Sequence, residues 1–274
     1  MIEELKLAQR LCGIRNEVRQ SAPLIHCITN PISINDCANI VLAVGARPIM
    51  AEHPREVAEI TAMASALALN LGNITDVRME SMRIAAQQAR ACGLPVILDL
   101  VGVGCSRLRR DYAKNLIQEC RPTVLKGNVS ELRSICDLPS HAEGIDAGER
   151  DRISQENRSW YEEQLGNYAR KHSAVVLATG ACDFIADGNQ SWLIANGNQR
   201  LTQITGTGCM LNVLVAAFLS AGDIVGAVML GTLLLGVSGE KASDVRGPGS
   251  FRAALLDEVC TVSDEQLLRS GNVI

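Results

Sequence analysis

Aromatic residues are scarce in this chain: Phe, Trp and Tyr together make up 3% of its 274 residues. An excess of basic charge is also missing, because 26 lysines and arginines stand against 30 aspartates and glutamates, for a formal net charge of −4. Proteins that bind nucleic acid usually present a basic surface, and those that bind single strands add stacking rings. The composition therefore argues against nucleic acid as a partner.

The chain also lacks a long uninterrupted apolar run and a metal-binding or redox cysteine motif. Its longest strongly apolar stretch, residues 224–239, contains several glycines and falls short of the roughly 20 residues that a membrane-spanning helix needs. The ten cysteines include no CxxC pair. The N-terminal sequence MIEELKLAQRLCGIRNEV is charged and amphipathic, unlike a signal sequence. We expect reduced cysteines, a cytoplasmic location and no membrane contact.

What the chain does have is apolar content. Hydrophobic residues account for 47% of it and charged residues for only 20%, so a large core can be buried. Chains of this length with an α/β fold commonly form one unit, and we expect a single domain over residues 1–274.

Short apolar runs recur and are separated by helical patterns. One such pattern, residues 76–93, has apolar residues three and four positions apart and closes on Gly93. The runs are apolar throughout, which is typical of parallel strands covered by helices on both faces. This pattern predicts an α/β fold with a mainly parallel central sheet. The predicted strands are residues 24–29, 47–50, 66–72, 95–102, 123–128 and 174–180.

The C-terminal part breaks this alternation. Residues 183–197 predict two short strands around a DGNQ turn, which would form an antiparallel edge of the sheet. Three helices are predicted after them, at residues 207–221, 224–245 and 248–261. The polar stretch at residues 139–159 predicts a surface loop that runs into a helix, either a solvated connector or a lid.

Ligands of open parallel sheets bind beyond the carboxyl ends of the strands, so the residues at those ends form the candidate site. Asp99 and Glu131 are suited to act as outer partners of a hydrated Mg²⁺ carried by substrate phosphates. Glu131 is equally well explained as the first-turn acid of a helix. The candidates are Asn30, Met50, Asp99, Lys126, Asn128, Glu131, Thr179, Gly180 and the GTGC turn at residues 206–209.

The GTGC turn itself allows two interpretations. Gly206 and Gly208 let successive N–H groups point to one side at the start of a helix, which makes an anion hole suited to phosphate. Alternatively, the turn is a glycine-rich helix start capped by Thr207. Cys209 is either a thiol activated at a helix N-terminus or one more small apolar residue. The turn is not a P-loop, because the lysine and hydroxyl residue expected after the last glycine are missing.

Taken together, the motifs resemble the hydroxyethylthiazole kinase family of the ribokinase-like superfamily. The resemblance extends in order from about residue 23 to residue 257, nearly the whole chain. It implies a ribokinase-like three-layer αβα fold with a mainly parallel sheet and a short antiparallel edge. The motifs that carry it are HCITNPISINDCAN, GARPIMAEHPREV, LALNLG, VILDLVGVGC, VLKGNVSE, VLATGACDFIADG, ITGTGCML and PGSFRAALLD.

The resemblance also implies an activity: ATP-dependent phosphorylation of the hydroxyl group of 4-methyl-5-(2-hydroxyethyl)thiazole, with Mg²⁺, by a homotrimer whose active sites lie between subunits. Asn30 and Met50 would contact the thiazole, and Gly206 would approach its alcohol. Cys209 lies where related sugar kinases carry an aspartate base. The implied nucleotide contacts are Thr179 and Lys126 for ATP, with Asp99 and Glu131 for Mg-ATP.

Two positions depart from the family pattern. Leu100 replaces the proline of the usual DPVG, and Lys126 replaces the arginine of the usual RGN. Lysine keeps the positive charge but loses the planar fork that grips phosphate oxygens in pairs. Two alternatives therefore stay open: a kinase for the pyrimidine precursor or another small alcohol, and a thiazole- or nucleotide-binding paralogue with weak catalysis.

Overall fold

The computed structural model of the chain describes residues 2–141, 144 and 147–274. Within these residues, eight strands form one sheet in the order β2-β1-β3-β4-β5-β6-β7-β8. Strands β1 to β6 pair in parallel, whereas β7 pairs antiparallel with β6, and β8 pairs antiparallel with β7. The strands are β1 (Leu24–Ile28), β2 (Arg47–Ile49), β3 (Ala66–Asn70), β4 (Val96–Asp99), β5 (Val124–Asn128), β6 (Val175–Thr179), β7 (Asp183–Ala186) and β8 (Ser191–Ile194).

Helices cover both faces of the sheet. One core cluster joins the sheet to α1, α2, α8, α9, α10 and α11, and the other joins it to α3 through α7. The α/β prediction, with a parallel sheet and an antiparallel edge, is thereby confirmed. The helices are α1 (Ile2–Ser21), α2 (Ile34–Ala43), α3 (Val57–Met63), α4 (Asp76–Cys92), α5 (Arg107–Cys120), α6 (Val129–Ile135), α7 (Arg158–His172), α8 (Thr207–Leu219), α9 (Ile224–Lys241), α10 (Pro248–Thr261) and α11 (Asp264–Ser270).

Strand β3 explains why the strands are apolar at every position. Leu67 and Leu69 pack into the cluster on one face, whereas Ala66 and Ala68 pack into the cluster on the other. All five residues of the strand are buried. Since side chains alternate between the faces, a strand covered on both sides needs apolar residues throughout.

Helix α9 is apolar all round for the same reason. Among the described residues it is the one helix long and apolar enough to cross a membrane, but most of it is buried inside the protein. It packs against α1, α8, α10 and the sheet edge formed by β6 to β8. A helix surrounded by protein needs no polar face, so its composition is that of a core helix.

Most predicted boundaries hold to within a few residues. Gly93 ends α4 with φ of 69°, the left-handed conformation that a glycine adopts at low cost. Helices α8 and α9 end two and four residues earlier than predicted. The polar helix α11 was not predicted. In the segment 139–159, the described residues form a single 3-10 turn at Glu149–Asp151 before α7 begins.

Candidate active site

A row of polar residues crosses the sheet beneath the start of α8. Asn70 of β3 is the register partner of Asp99 of β4, and Asp99 is the partner of Lys126 of β5. Lys126 Nζ donates to Asp99 Oδ2 over 2.8 Å, and Asn70 Nδ2 donates to the same oxygen over 3.1 Å. All three residues are buried. Adjacent strands therefore place an amide, a carboxylate and an ammonium side by side at the carboxyl end of the sheet.

Asp99 and Lys126 stabilise each other's charge. Burial raises the pKa of the Asp99 carboxyl, and the nearby ammonium of Lys126 opposes that shift. Burial acts to lower the pKa of Lys126, but Asp99 outweighs it and the pKa of Lys126 is raised. Lys126 therefore keeps its positive charge despite burial. Asp99 Oδ1 is buried without a hydrogen-bond partner, so this carboxyl group is only half satisfied.

The N-terminus of α8 has open backbone donors. Gly206 is the N-cap, with φ of 89°, and no side chain caps the helix. Thr207, the alternative cap, donates its hydroxyl to Leu201 O instead. A helical hydrogen bond runs from Met210 N to Gly206 O over 2.8 Å. Helix geometry gives the N–H groups of residues 207–209 no acceptor within the helix. This end matches the anion-hole interpretation.

The two glycines of the turn differ in their surroundings: Gly206 is required by them, whereas Gly208 has room for a Cβ at an ordinary contact distance. A Cβ on Gly206 would lie 2.8 Å from the Cβ of Ser33, and its φ is in the left-handed region that disfavours other residues. A Cβ on Gly208 would lie 3.5 Å from Lys126 Nζ. The ammonium of Lys126 therefore lies beside the open donors, and both would act on the same anion.

Cys209 is held by two amide side chains. Its Sγ accepts hydrogen bonds from Asn30 Nδ2 over 3.1 Å and from Asn70 Nδ2 over 3.3 Å. The residue is buried yet borders a large cleft at the carboxyl edge of the sheet. Sequence reasoning identified Asn30 and missed Asn70, because LALNLG was interpreted as an apolar strand. The signal was present: Asn70 is a polar residue at a strand end, like Asp99.

Glu131 closes the N-terminus of α6. Its Oε2 accepts from Asn128 N and its Oε1 from Gly102 N, each over 2.7 Å. Asn128 Oδ1 accepts from Glu131 N in return, which completes a capping box. Burial, with a smaller contribution from Asp99, raises the pKa of Glu131 to about 7. The first-turn interpretation thus describes its contacts, and a metal role stays a prediction.

The cleft at this edge of the sheet has a volume of about 1280 Å³. Two predicted site residues do not border it: Asp99 lies behind Lys126, and Met50 is half-buried and packs against the core on the α8 side of the sheet. The described part of the 139–159 segment contributes Gly148, Glu149, Arg152 and Ile153 to the wall. The predicted residues that border the cleft are Asn30, Lys126, Asn128, Glu131, Thr179, Gly180, Gly206, Gly208 and Cys209.

Thr179 and Asp183 form the far wall of the cleft. Thr179 Oγ1 donates to Gly127 O over 3.4 Å, and Gly180 N donates to Asp183 Oδ1 over 3.0 Å. Burial of the carboxyl group raises the pKa of Asp183 to about 7. Sequence reasoning placed Asp183 only in an edge strand, because its approach to the cleft depends on the tight turn between β6 and β7.

The departure at Leu100 is structurally harmless. Leu100 is fully buried, and its N–H donates to Lys126 O over 2.8 Å. A proline has no N–H and would leave that carbonyl without this donor. Leucine therefore adds a sheet hydrogen bond next to the Asp99–Lys126 pair.

Residues 15–265 of the chain match the Hydroxyethylthiazole kinase family. The chain belongs to this family. It is 48% identical to Hydroxyethylthiazole kinase 2 of Clostridium botulinum (strain Okra / Type B1), with 93% of this chain and 97% of the relative covered. It is 38% identical to the Hydroxyethylthiazole kinase of Methanobrevibacter smithii over 100% of this chain and 99% of the relative. The family recognised from the sequence is confirmed, and the chain is a kinase.

Solved structures agree with this family's fold. The hydroxyethylthiazole kinase protein of Pyrococcus horikoshii OT3 superposes with a TM-score of 0.86 at 29% identity, covering 96% of this kinase and 98% of its own chain. A ribokinase-like superfamily protein from Enterococcus faecalis V583 gives a TM-score of 0.60 at 12% identity, with 86% of each chain covered. The second likeness concerns the fold alone, and the ribokinase-like prediction is confirmed.

Proposed function

We propose that this kinase transfers a phosphoryl group from ATP to the hydroxyl of 4-methyl-5-(2-hydroxyethyl)thiazole, a step of thiamine salvage. The names of its relatives support the substrate. The observation that carries the proposal is the uncapped N-terminus of α8 with the Lys126 ammonium beside it, both at the wall of one cleft. This combination suits a phosphoryl group in transfer.

The chemistry asks mainly for positioning and charge neutralisation. A transferring phosphoryl group passes through a loose transition state with charge on its equatorial oxygens. The N–H groups of Thr207, Gly208 and Cys209 would donate to those oxygens, and Lys126 would neutralise their charge. Asp99 keeps Lys126 ionised and in place. Since the donors are fixed before the substrate binds, they need no rearrangement during the reaction.

Magnesium would enter with the nucleotide. Among the described residues, no group of three or more His, Cys, Asp or Glu side chains is arranged to hold a metal ion. Asp99 has one oxygen without a partner, and Glu131 has both oxygens engaged by backbone N–H groups. Mg²⁺ commonly keeps several waters and rests on substrate phosphates. Glu131, which borders the cleft, would therefore act on it through water, and Asp99, which does not border the cleft, would do so only from behind Lys126.

Cys209 would face the alcohol of the thiazole. Its sulfur lies at the start of α8, next to the donors for the phosphoryl group, and it borders the cleft. A loose transition state needs little help from a base, so a thiol at this position is sufficient. Thr179, at the other wall, would contact ATP.

The exposed substrate end of the cleft supports a homotrimer with active sites between subunits, which we place in the cytoplasm. Ile32 borders the cleft and is 67% exposed, and Met50 lies outside the cleft of a single chain. A neighbouring subunit would cover Ile32 and complete the thiazole pocket with Asn30 and Met50. Sedimentation analysis tests the assembly: the proposal expects three chains per particle, and a monomer that turns over would contradict it.

A coupled ADP-release assay tests the reaction. The purified protein is given Mg-ATP with hydroxyethylthiazole, with the hydroxymethylpyrimidine alcohol, or with neither. The expected result is ADP release that depends on the thiazole. Release with the pyrimidine alcohol alone would move the activity to another alcohol kinase. Thiazole binding without ADP release would identify a binding paralogue.

A further inference from the structure

Asn70 has an amide orientation that the backbone determines. Its Oδ1 accepts from Gly72 N over 2.7 Å. A backbone N–H can only donate, so this atom must be the oxygen, and the amide cannot be flipped. The Nδ2 group carries two protons and has two acceptors, Asp99 Oδ2 at 3.1 Å and Cys209 Sγ at 3.3 Å.

Asn30 is oriented in the same way. Its Oδ1 accepts from Ile32 N and Ser33 N, both over 3.1 Å, so its Nδ2 must face Cys209. The sulfur of Cys209 therefore receives N–H donors from two sides. The thiol proton of Cys209 cannot point at either amide nitrogen, because both nitrogens donate to the sulfur. These two hydrogen bonds fix the orientation of the sulfur, and the part of it that accepts no hydrogen bond is free to face the cleft.

The backbone next to Asn70 leaves room for this pair of amides. A Cβ on Gly72 would lie 2.8 Å from Asn70 Oδ1 and 3.0 Å from Asn30 Nδ2, both too close for an ordinary contact. Glycine at this position therefore allows the two amides to pack over the strand end. The network is built by backbone, glycine and side chains together.

We propose that Asn70 is a positioning residue of the kinase. Its single amide group joins the Cys209 sulfur to the Asp99–Lys126 pair, across the ends of β3 and β4 and the start of α8. The cation beside the phosphoryl group and the thiol beside the acceptor alcohol are thereby kept at a fixed separation. This inference rests on the proposed function. Such fixed geometry acts on the transition state, so its loss lowers kcat more than it raises KM.

Two uncharged substitutions at Asn70 remove the donated hydrogen bonds. Asn70→Leu nearly keeps the volume and adds no charge beside Asp99, and Asn70→Ala removes the whole amide. We expect both to lower kcat by about 10- to 100-fold and to change KM for thiazole and ATP by less than about threefold. Because Asn70→Leu is close to asparagine in volume and leaves no cavity, it reports even if Asn70→Ala fails to fold.

Asn212→Ala is the matched control. Asn212 is also buried and lies on α8, one turn after Cys209, and its Nδ2 donates to Leu69 O over 3.2 Å and not to Cys209 or Asp99. Its replacement removes a buried amide without touching the network, so kcat should stay within about threefold of the wild type. An equal loss of kcat in this variant would reduce Asn70 to a general packing role and overturn the inference.

A double-mutant cycle distinguishes a positioning role of Asn70 from a purely structural one. If Asn70 acts through the sulfur, the Asn70→Ala/Cys209→Ala variant loses less activity than the product of the two single losses. A loss equal to that product, or Asn70 variants with wild-type kcat, would overturn the inference. Thiazole-dependent turnover by the wild type is measured first. An inactive wild type contradicts the proposed function, whereas an active one with unaffected Asn70 variants contradicts only this inference.

Discussion

Two helices begin at the wall of the cleft, and their first turns differ. At α6, Asn128 accepts from Glu131 N, and the Glu131 carboxylate accepts from Asn128 N and Gly102 N. At α8, the N-cap is Gly206, and no side chain caps the helix. One helix satisfies its end with its own side chains, whereas the other presents its end to the cleft. The difference separates a structural helix start from one prepared for a ligand.

The same contrast holds for the charges nearby. At α6 the Glu131 carboxylate accepts hydrogen bonds from backbone N–H groups, and its pKa is raised to about 7. At α8 the ammonium of Lys126, paired with the buried Asp99, lies beside the turn. An anion is therefore favoured at α8 and disfavoured at α6, although both helices offer a positive end of the macrodipole.

Blocking the open N-terminus of α8 should have the largest effect on kcat. Gly206→Val places side-chain carbon against Ser33 and forces a β-branched residue into φ of 89°. We expect kcat to fall by at least about 1,000-fold in the ADP-release assay, while circular dichroism shows a folded protein. The control is Gly247→Ala at the N-cap of α10, where the backbone is extended and the added Cβ meets nothing within 4 Å. Retained turnover in Gly206→Val would contradict the assignment.

Removing the ammonium group of Lys126 should have the second-largest effect on activity. Lys126→Met leaves the buried Asp99 without its positively charged partner, and we expect kcat/KM to fall about 100-fold. The free energy of unfolding should fall by about 3 kcal/mol, because an uncompensated buried charge remains. Lys114→Met removes a lysine from the exposed pair with Asp137 and should cost less than about 1 kcal/mol. Equal effects of the two substitutions in kinetics and urea unfolding would refute the role of Lys126.

A smaller effect is expected at the thiol. Cys209→Ser keeps a hydrogen-bonding group between Asn30 and Asn70, so kcat should fall by only about 10-fold. The exposed Cys260→Ser serves as the control and should match the wild type. Complete loss of turnover in Cys209→Ser would show that the thiol is the essential base, and the α8 donors with Lys126 would then be insufficient for catalysis.

Changing Glu131 at the closed N-terminus of α6 should affect stability more than activity. The pKa of Glu131 rises from an ordinary 4.5 to about 7 on folding, so the folded state holds this proton more tightly. That contribution to the free energy of unfolding is fully present below pH 4.5 and is lost as pH rises through about 7. Its size is about 3 kcal/mol. Glu131→Gln should abolish this part of the pH dependence.

The measurement is urea unfolding of both proteins at pH 4.5 and pH 8, without metal or nucleotide. The free energy of unfolding of the wild type, minus that of Glu131→Gln, should fall by that amount from pH 4.5 to pH 8. An equal stability difference between the two proteins at both pH values would show that Glu131 does not titrate between them. A loss of turnover in Glu131→Gln much smaller than that in Gly206→Val would sharpen the contrast between the two helix starts.

The sequence was sufficient to predict the fold because its strands are apolar on both faces. A run such as VILD of β4 has no alternation, so burial between helix layers follows directly. Helix α11 was missed because Asp264–Ser270 is short and polar, and its start depends on the Ser263 capping box rather than on an apolar stripe. Boundaries such as the end of α9 at Lys241 depend on tertiary packing, which periodicity does not report.

The site was predicted in part. Residues at strand ends were found because topology alone brings them to one edge. The Asp99–Lys126 contact needed the strand register, which an apolar pattern leaves undetermined when both faces are buried. Asn70 went unnoticed within an otherwise apolar run. The double engagement of Glu131 depends on Gly102, 29 positions away in the chain, and no local pattern contains it.

Amide-resolved hydrogen exchange tests the contrast between the two helix starts most directly. Exchange is measured by NMR on the free protein and with Mg²⁺, thiazole and a non-hydrolysable ATP analogue. The N–H groups of residues 207–209 should exchange fast in the free protein and slow down on binding, whereas those of Asn128 and Glu131 should be protected in both states. Protection that appears at α6 instead, or no change at residues 207–209, would contradict the assignment of α8 as the end prepared for a ligand.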